Sequence, residues 1–537
     1  MRTTWKRAAV LVIAALLSPV GALGAPTAIT IIHINDTHSH LDAIGPKDRN
    51  LDGTVGGLAK AATVIAALRA TEPNALFVHA GDLFNGDAYF AAGIGPGGSL
   101  ALAVPEMQFL GQLGLDVLTL GNHEFGLGTA PLALVLKAAY QGNGPSIITA
   151  NVDLHAAGLD GLVQPHVVKQ VGGVRVGFFG MTAIDFLSQG APFLAYDVEH
   201  TLALAAAQVT ALRAPPSSAD VVVFLSHLGF ELDQVVAANV PGIDAIVGGH
   251  DHLVLSAPVM VPGPNGKSVP VVQAGSFYQW VGELTLLVDG GNVSLHRYRL
   301  VPVNAAVRRL PSVAAAVKQI KAGVDQRYGE DLWHVPIALA LLDVAKEAPL
   351  RSTLRDIPVA DLVTDALRAR GETDIGLTVH GFITEGLNRG PVVRDDAFRI
   401  VGDGVDPSGA SLGFPLYTVK LDGKNLLAAL ETSLALGGDF SIQVSGMRYL
   451  YDSRRPVGAQ LVAAFVGGAP VDPARVYSAT VNLGAVQGLT QFPGVTLADL
   501  PRPLGVSEYE AVRDWLTRLK LVLYFSHGRV IDVGAQP

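Results

Sequence analysis

Between Ala28 and about Leu300 the chain repeats one pattern: a short β-branched and aliphatic run, a loop rich in glycine and polar residues, and often an Ala/Leu-rich stretch with helical spacing. Short apolar runs bounded by turn residues mark buried strands, and strands alternating with helices make an α/β sheet. The strands expected are Ile29–Ile34, Leu76–His79, Val117–Leu120, Ile147–Ala150, Val174–Phe179, Val221–Leu225, Ala245–Val247, Val271–Gln273 and Glu283–Val288. Val313–Tyr328 has helical spacing and reads as a connector to a second domain starting near Trp333. There the pattern predicts a helix over Ala360–Arg370, a strand over Leu416–Leu421 and a helix over Lys424–Leu434, with Gly402–Gly413 as a flexible loop.

Length and composition narrow the class. A chain of 537 residues has room for two to four domains at roughly 100–200 residues each. With 49% hydrophobic and 16% charged residues it is globular, and a net charge of −9 argues against a phosphate-backbone binder, so nucleic acid is not an expected partner. The absence of cysteine removes disulfides, thiolate metal sites, iron–sulfur clusters and a thiol nucleophile. Any metal must therefore be held by His, Asp, Glu or Asn.

The first residues read as an export signal. Arg2, Lys6 and Arg7 precede the short apolar run Ala8–Leu17, which Ser18-Pro19 breaks ahead of the small-x-small site Ala22-Leu23-Gly24. The run falls short of the roughly 20 apolar residues a spanning helix needs. Cleavage near Gly24 and an exported, periplasmic or secreted protein with no stable membrane insertion are expected.

The chemistry gathers where predicted strands end. Ile29–Ile34 runs into Asn35-Asp36-Thr37-His38-Ser39-His40, Leu76–His79 into Ala80-Gly81-Asp82, and Val117–Leu120 into Gly121-Asn122-His123-Glu124. Val221–Leu225 runs into Ser226-His227, and Ala245–Val247 into Gly248-Gly249-His250-Asp251-His252. In open α/β sheets, ligands bind outside the carboxyl ends of strands, so these loops converge on one edge. Oxygen and imidazole donors without thiolates suit Zn, Mn, Fe or Mg. The pattern Gly93-x-Gly95-x-x-Gly98 contains Pro96 and follows no clear strand, so it reads as a plain loop. Asn35 and Asn292 head formal glycosylation sequons, the first inside the candidate metal loop.

Taken together, D-x-H, G-D, G-N-H-E, S-H and G-H-x-H in this order resemble the dinuclear metallophosphoesterases, and specifically their 5′-nucleotidase branch. Gly177–Thr182 and Val272–Gly275 add to the likeness. The resemblance implies a four-layer α/β/β/α sandwich over 25–305 after the signal 1–24, a linker helix region over 306–334, and a smaller α/β substrate-binding domain over 335–537. It implies two divalent cations, one held by Asp36, His38, Asp82 and His252, with Asp82 bridging to a second held by Asn122, His227 and His250. It also implies that His123 stabilises charge on the phosphoryl group of a small phosphoester such as a nucleotide.

The likeness departs in places. The family usually has an Asp three residues after the catalytic His, to orient its ring; here that position is Gly126. In the second domain Ala360–Ala366 and Gly390–Phe398 resemble family segments, but the phosphate-binding Arg appears as Thr384. The base-stacking aromatic segments are replaced by Val401–Val405 and by a stretch near Gln491–Gly494. Arg389, Arg394 and Phe492 are candidate substitutes for substrate binding. Two alternatives stand beside a nucleotide hydrolase: a hydrolase of a non-nucleotide ester, and a metal-retaining binding protein with weak catalysis.

Overall fold

In the computed structural model the first apolar run forms the strand Thr27–Ile34 inside a six-stranded sheet. Ile29 and Ile31 face one core while Ile32 and Ile34 face another. A strand covered on both faces has no solvent side, which is why the run is apolar throughout. The structure describes residues 25–535 apart from 94–104, 141–143, 186, 187, 189, 330, 350, 351, 405, 407, 409 and 410. The expected signal segment 1–24 and the motif glycines Gly95 and Gly98 lie outside the described residues.

The first sheet runs in the order Asn292–Pro302, Trp280–Asp289, Thr27–Ile34, Ala75–His79, Val117–Thr119, Ser146–Ile148. A second six-stranded sheet runs Val259–Pro262, Ser268–Val272, Ala245–Val247, Val221–His227, Val174–Thr182, His166–Val171. The sheets pack face to face through residues such as Ile29, Val78, Val117, Phe178, Val223 and Val247. The helices Leu58–Thr71 and Thr129–Tyr140 bury their apolar sides on the outer face of the first sheet, and Val198–Arg213 and Phe230–Asn239 on that of the second. This is an α/β/β/α sandwich followed by a smaller α/β unit. Among the described residues, no helix is long and apolar enough to cross a membrane.

Register sets where the loops emerge. Thr27–Ile34 pairs in parallel with Ala75–His79, with Ile34 opposite His79, so the loops bearing Asp36 and Asp82 leave adjacent strand ends. Ala245–Val247 pairs in parallel with Val221–His227, with Val247 opposite Leu225, which brings the His227 and His250 loops out together.

The helix Pro311–Tyr328 leads into the second unit, where Trp333 stacks on Tyr89 at 5.5 Å between ring centroids and Lys321 lies 4.8 Å over the Trp333 ring. One apolar core runs through this joint from Leu58 and Phe84 to Phe398 and Leu516. A buried ion group crosses it as well: Arg399 donates to Asp87 of the first domain at 2.8 Å and pairs with Asp395 at 3.0 Å. The second unit is built on a five-stranded sheet, Ile442–Ser445, Ile375–Val379, Val476–Asn482, Pro415–Asp422, Arg502–Ser507.

The helix Glu508–Leu519 starts from a capping box of Ser507 and Glu510 and buries Glu508 completely. The Glu508 carboxyl accepts from Asn482 at 2.9 Å and meets no cation among the described residues, and burial pushes it up to about 8 from an ordinary 4.5. The folded state therefore keeps a proton that the unfolded chain releases. Stability should fall as pH rises from about 4.5 to about 8, at up to roughly 1.4 kcal/mol per pH unit. Glu508→Gln should flatten that slope, so its Tm should exceed the wild-type value at pH 8 and match it near pH 5. An equal Tm difference at both pH values would contradict this.

Candidate metal centre and interdomain cleft

The predicted ligand residues meet at one edge of the sandwich, held there by unusual backbone. Asp36, His38, Asp82, His250 and His252 all adopt positive φ, between 47° and 84°. Such conformations are costly for residues with a Cβ and persist where surrounding structure enforces them, typically at functional sites. Gly121 is required for a different reason: a Cβ there would lie 2.0 Å from Asp82 Oδ1.

Three overlapping groups of donor atoms result: Asp36 with His38 and His252, His38 with Asp82 and His123, and Asp82 with His227 and His250. His38 Nε2 lies 3.0 Å from His252 Nε2, and His227 Nε2 lies 3.0 Å from both Asp82 Oδ2 and Asn122 Oδ1. His250 Nδ1 is 3.2 Å from Asn122 Oδ1, and His252 Nε2 is 3.7 Å from Asp36 Oδ1. The shorter spacings fall in the range of about 3.0–3.4 Å between neighbouring ligands around a four- to six-coordinate cation with bonds of about 2.1 Å.

Neighbouring groups aim these donors. His38 and His227 give their Nδ1–H to the carbonyls of Phe84 (3.0 Å) and Ala80 (2.6 Å), which leaves both Nε2 lone pairs facing the cluster. The Asn122 amide donates to Asp185 at 2.8 Å, turning its oxygen inward. Asp36 accepts from the Asn35 amide at 2.5 Å and from the His250 N–H at 3.0 Å. Asn35 is 2% exposed and also bonds Gly275 and Ala274, so its sequon is closed to a glycan.

The electrostatics suit a cation. Burial pushes the Asp36 carboxyl up to about 8, and burial followed by the Glu124 carboxylate pushes Asp82 well above its usual range. Burial, then repulsion from neighbouring imidazoles, holds His38 well below its ordinary value; burial and then Lys346 do the same to His252. Buried carboxyls without a counter-charge beside deprotonated imidazoles form a donor set that fits divalent metal ions.

The cluster forms one wall of a cleft of about 920 Å³ between the two domains. The facing wall comes from the second domain and includes Lys346, His380, Thr384, Asp403 and Asp439. Among the described residues lining it, Lys346 is the sole Lys or Arg and Phe277 the sole Phe, Tyr or Trp. Arg389 and Arg394 are not among those residues: Arg389 is exposed beside Asp343, and Arg394 donates to the Asp331 carbonyl at 3.5 Å. Phe492 lines a separate small apolar pocket with Phe382 and Phe440. None of these three candidates stands on the wall opposite the metal cluster.

Residues 29–254 match the calcineurin-like phosphoesterase family, and residues 340–496 match the 5′-nucleotidase C-terminal domain. The 5′-nucleotidase of Bos taurus is 26% identical over 559 aligned residues, spanning 97% of this chain and 93% of its own. The crystal structure of a 5′-nucleotidase precursor from Thermus thermophilus superposes with a TM-score of 0.80 at 29% identity, covering 94% of this chain and 99% of that one. The chain belongs to the 5′-nucleotidase family. It is a phosphoester hydrolase of the metallophosphoesterase class. A sulfate thiohydrolase from the same organism shares the fold, with a TM-score of 0.72 at 21% identity over 94% of this chain and 97% of its own.

This 5′-nucleotidase-family chain also uses residues that the motif reading passed over. Glu124 is fully buried and accepts the backbone N–H groups of Asp82, Leu83, Phe84 and Gly121 at 2.6–3.2 Å, fixing the Asp82 loop. Where the family's Asp would accept from the His123 ring, the Asn85 amide nitrogen, a donor, lies 3.2 Å from His123 Nδ1, with Asp403 Oδ1 at 3.9 Å. Glu124 had a signal, since it belongs to G-N-H-E. Asp403 and Lys346 had none, because both come from loops of the other domain.

Proposed function

We propose that this protein is exported and hydrolyses small phosphate monoesters in the interdomain cleft with two divalent cations, discriminating weakly for the nucleoside. The observation that carries the reading is the cleft itself, where His38, Asp82, Asn122, His250 and His252 face a second-domain wall whose described residues include one Lys and no Phe, Tyr or Trp. Asp36, His38, Asp82 and His252 would hold one cation, and Asp82, Asn122, His227 and His250 the other. When bound, such cations supply charge neutralisation at the phosphate and activation of water for attack.

The chain's own residues do the rest. Glu124 and Asn35 hold Asp82 and Asp36 in place, and Asp185 keeps the Asn122 oxygen turned inward. His123 lines the cleft beside Asp82 and offers a ring N–H to a phosphoryl oxygen as charge builds there. Lys346 brings a positive charge to the phosphate from the opposite wall. Thr384, where the family's Arg is expected, is buried and accepts the Asp403 N–H at 3.1 Å, so it holds a loop instead of a phosphate. Export is supported by the basic start, short apolar run and small-x-small site of residues 1–24.

Base stacking on an aromatic ring contributes roughly 1–3 kcal/mol, and a bidentate Arg adds directed phosphate binding. With no Arg among the described lining residues and no Phe, Tyr or Trp among those of the second-domain wall, kcat/KM for AMP should lie within about a hundredfold of that for a simple sugar phosphate, or roughly 3 kcal/mol. The test is a phosphoester panel under Zn, Mn, Fe and Mg in turn. A preference for AMP of about a thousandfold would overturn weak discrimination, and absence of turnover under every metal would overturn the hydrolase.

A further inference from the structure

Asp403 is a buried carboxylate that the activity described so far does not use. It sits in the loop after Ile400 in the second domain, 7% exposed, and its Oδ1 has no hydrogen-bond partner among the described residues. A buried carboxylate oxygen without a partner is unfavourable unless something in the working cycle requires it. That oxygen lies 3.9 Å from Nδ1 of His123, across the cleft.

The loop is held there by contacts on both sides. Gly86 N–H donates to the Gly402 carbonyl at 3.0 Å, linking the turn after Asp82 to the residue before Asp403. Gly402 must be glycine, because a Cβ would meet Gly86 O at 2.3 Å. Thr384 accepts the Asp403 N–H, and nearby His40 pairs with Glu385 at 2.5 Å, a second bond between the domains. Within the first domain, His123 Nδ1 has only the neutral Asn85 amide.

We propose that Asp403 is the positioning residue for His123, supplied by the second domain across the cleft. The inference rests on the role proposed above for His123. The 3.9 Å separation is about 1 Å longer than a hydrogen bond, and closing it requires Nδ1 to present its N–H to the carboxylate in place of accepting from Asn85. A small approach of the two walls closes it, so the orientation of the His123 ring depends on how the domains sit. Loss of the carboxylate leaves the ring free to turn and acts on the chemical step rather than on substrate binding.

The experiment is a double-mutant cycle on the metal-loaded full chain, with an aryl phosphate as substrate. Asp403→Asn should lower kcat at least tenfold with KM changed by less than about threefold, and with metal content and Tm as in wild type. In a His123→Ala background the same change should reduce kcat by less than about twofold, because its effect runs through the ring. Gly402→Ala, which displaces the loop while keeping both side chains, should reproduce the loss and its disappearance without His123. Equal losses in both backgrounds, or an unchanged kcat in Asp403→Asn and Gly402→Ala, would overturn the proposal. Inactive wild-type protein would instead strike the hydrolase reading, so the two failures are separable.

Discussion

Asp82→Asn is expected to lower turnover by at least about a thousandfold, or roughly 4 kcal/mol, and to reduce bound metal at the same time. The side chain serves both halves of the cluster: Oδ2 lies 3.0 Å from His227 Nε2 and 3.9 Å from His38 Nε2, while Oδ1 accepts the backbone N–H of His123 at 3.0 Å. Asparagine keeps the acceptor at Oδ1 but replaces the charged oxygen shared by both groups with an NH₂ that cannot ligate. The fold should survive, because Glu124 holds the loop through its backbone. Asn122 touches only the His227 and His250 side, so Asn122→Ala should deplete chiefly one metal. Elemental analysis after a fixed loading protocol, alongside kcat, decides the matter. An Asp82→Asn protein with undiminished metal and kcat within tenfold of wild type would remove Asp82 from the proposed bridging position.

His123→Ala should lower kcat by about a hundredfold to a thousandfold with metal content unchanged, the range seen when one donor to a developing oxyanion is lost. The ring lies against His38, with centroids 4.7 Å apart, and its Nε2 is 3.9 Å from Asp82 Oδ2. It is therefore close enough to the cluster to be a ligand itself, and metal content separates the two roles. Intact metal with low kcat supports a phosphoryl-facing donor, whereas loss of metal would make His123 a ligand and require a different charge-stabilising group.

In the first domain the elements that were legible and those that were not differ in burial. Thr27–Ile34, Val221–His227 and Ala245–Val247 are covered on both faces, so unbroken apolar runs announced them. The strand Asn292–Pro302, with many exposed residues, and the strand His166–Val171, half-buried apart from exposed Gln170, went unread because sheet edges carry a weak apolar signal. The connecting helix was expected from Val313 and begins at Pro311, since proline is tolerated in a first turn.

The candidate site divides in the same way. Asp36, His38, Asp82, Asn122, His227, His250 and His252 stand out in the sequence because each lies at a strand end or within a few residues after one, and the structure brings those strand ends to one edge. That much needs only local pattern and the rules of α/β sheets. Where the second domain sits was not local information. It depends on Trp333 against Tyr89, Arg399 against Asp87, and Gly402 against Gly86, contacts between residues far apart in the chain. Only the packed tertiary structure set Lys346 in the cleft, left Arg389, Arg394 and Phe492 off its wall, and brought Asp403 to His123, because docking the two domains fixes which side chains meet across a gap and no sequence period encodes it.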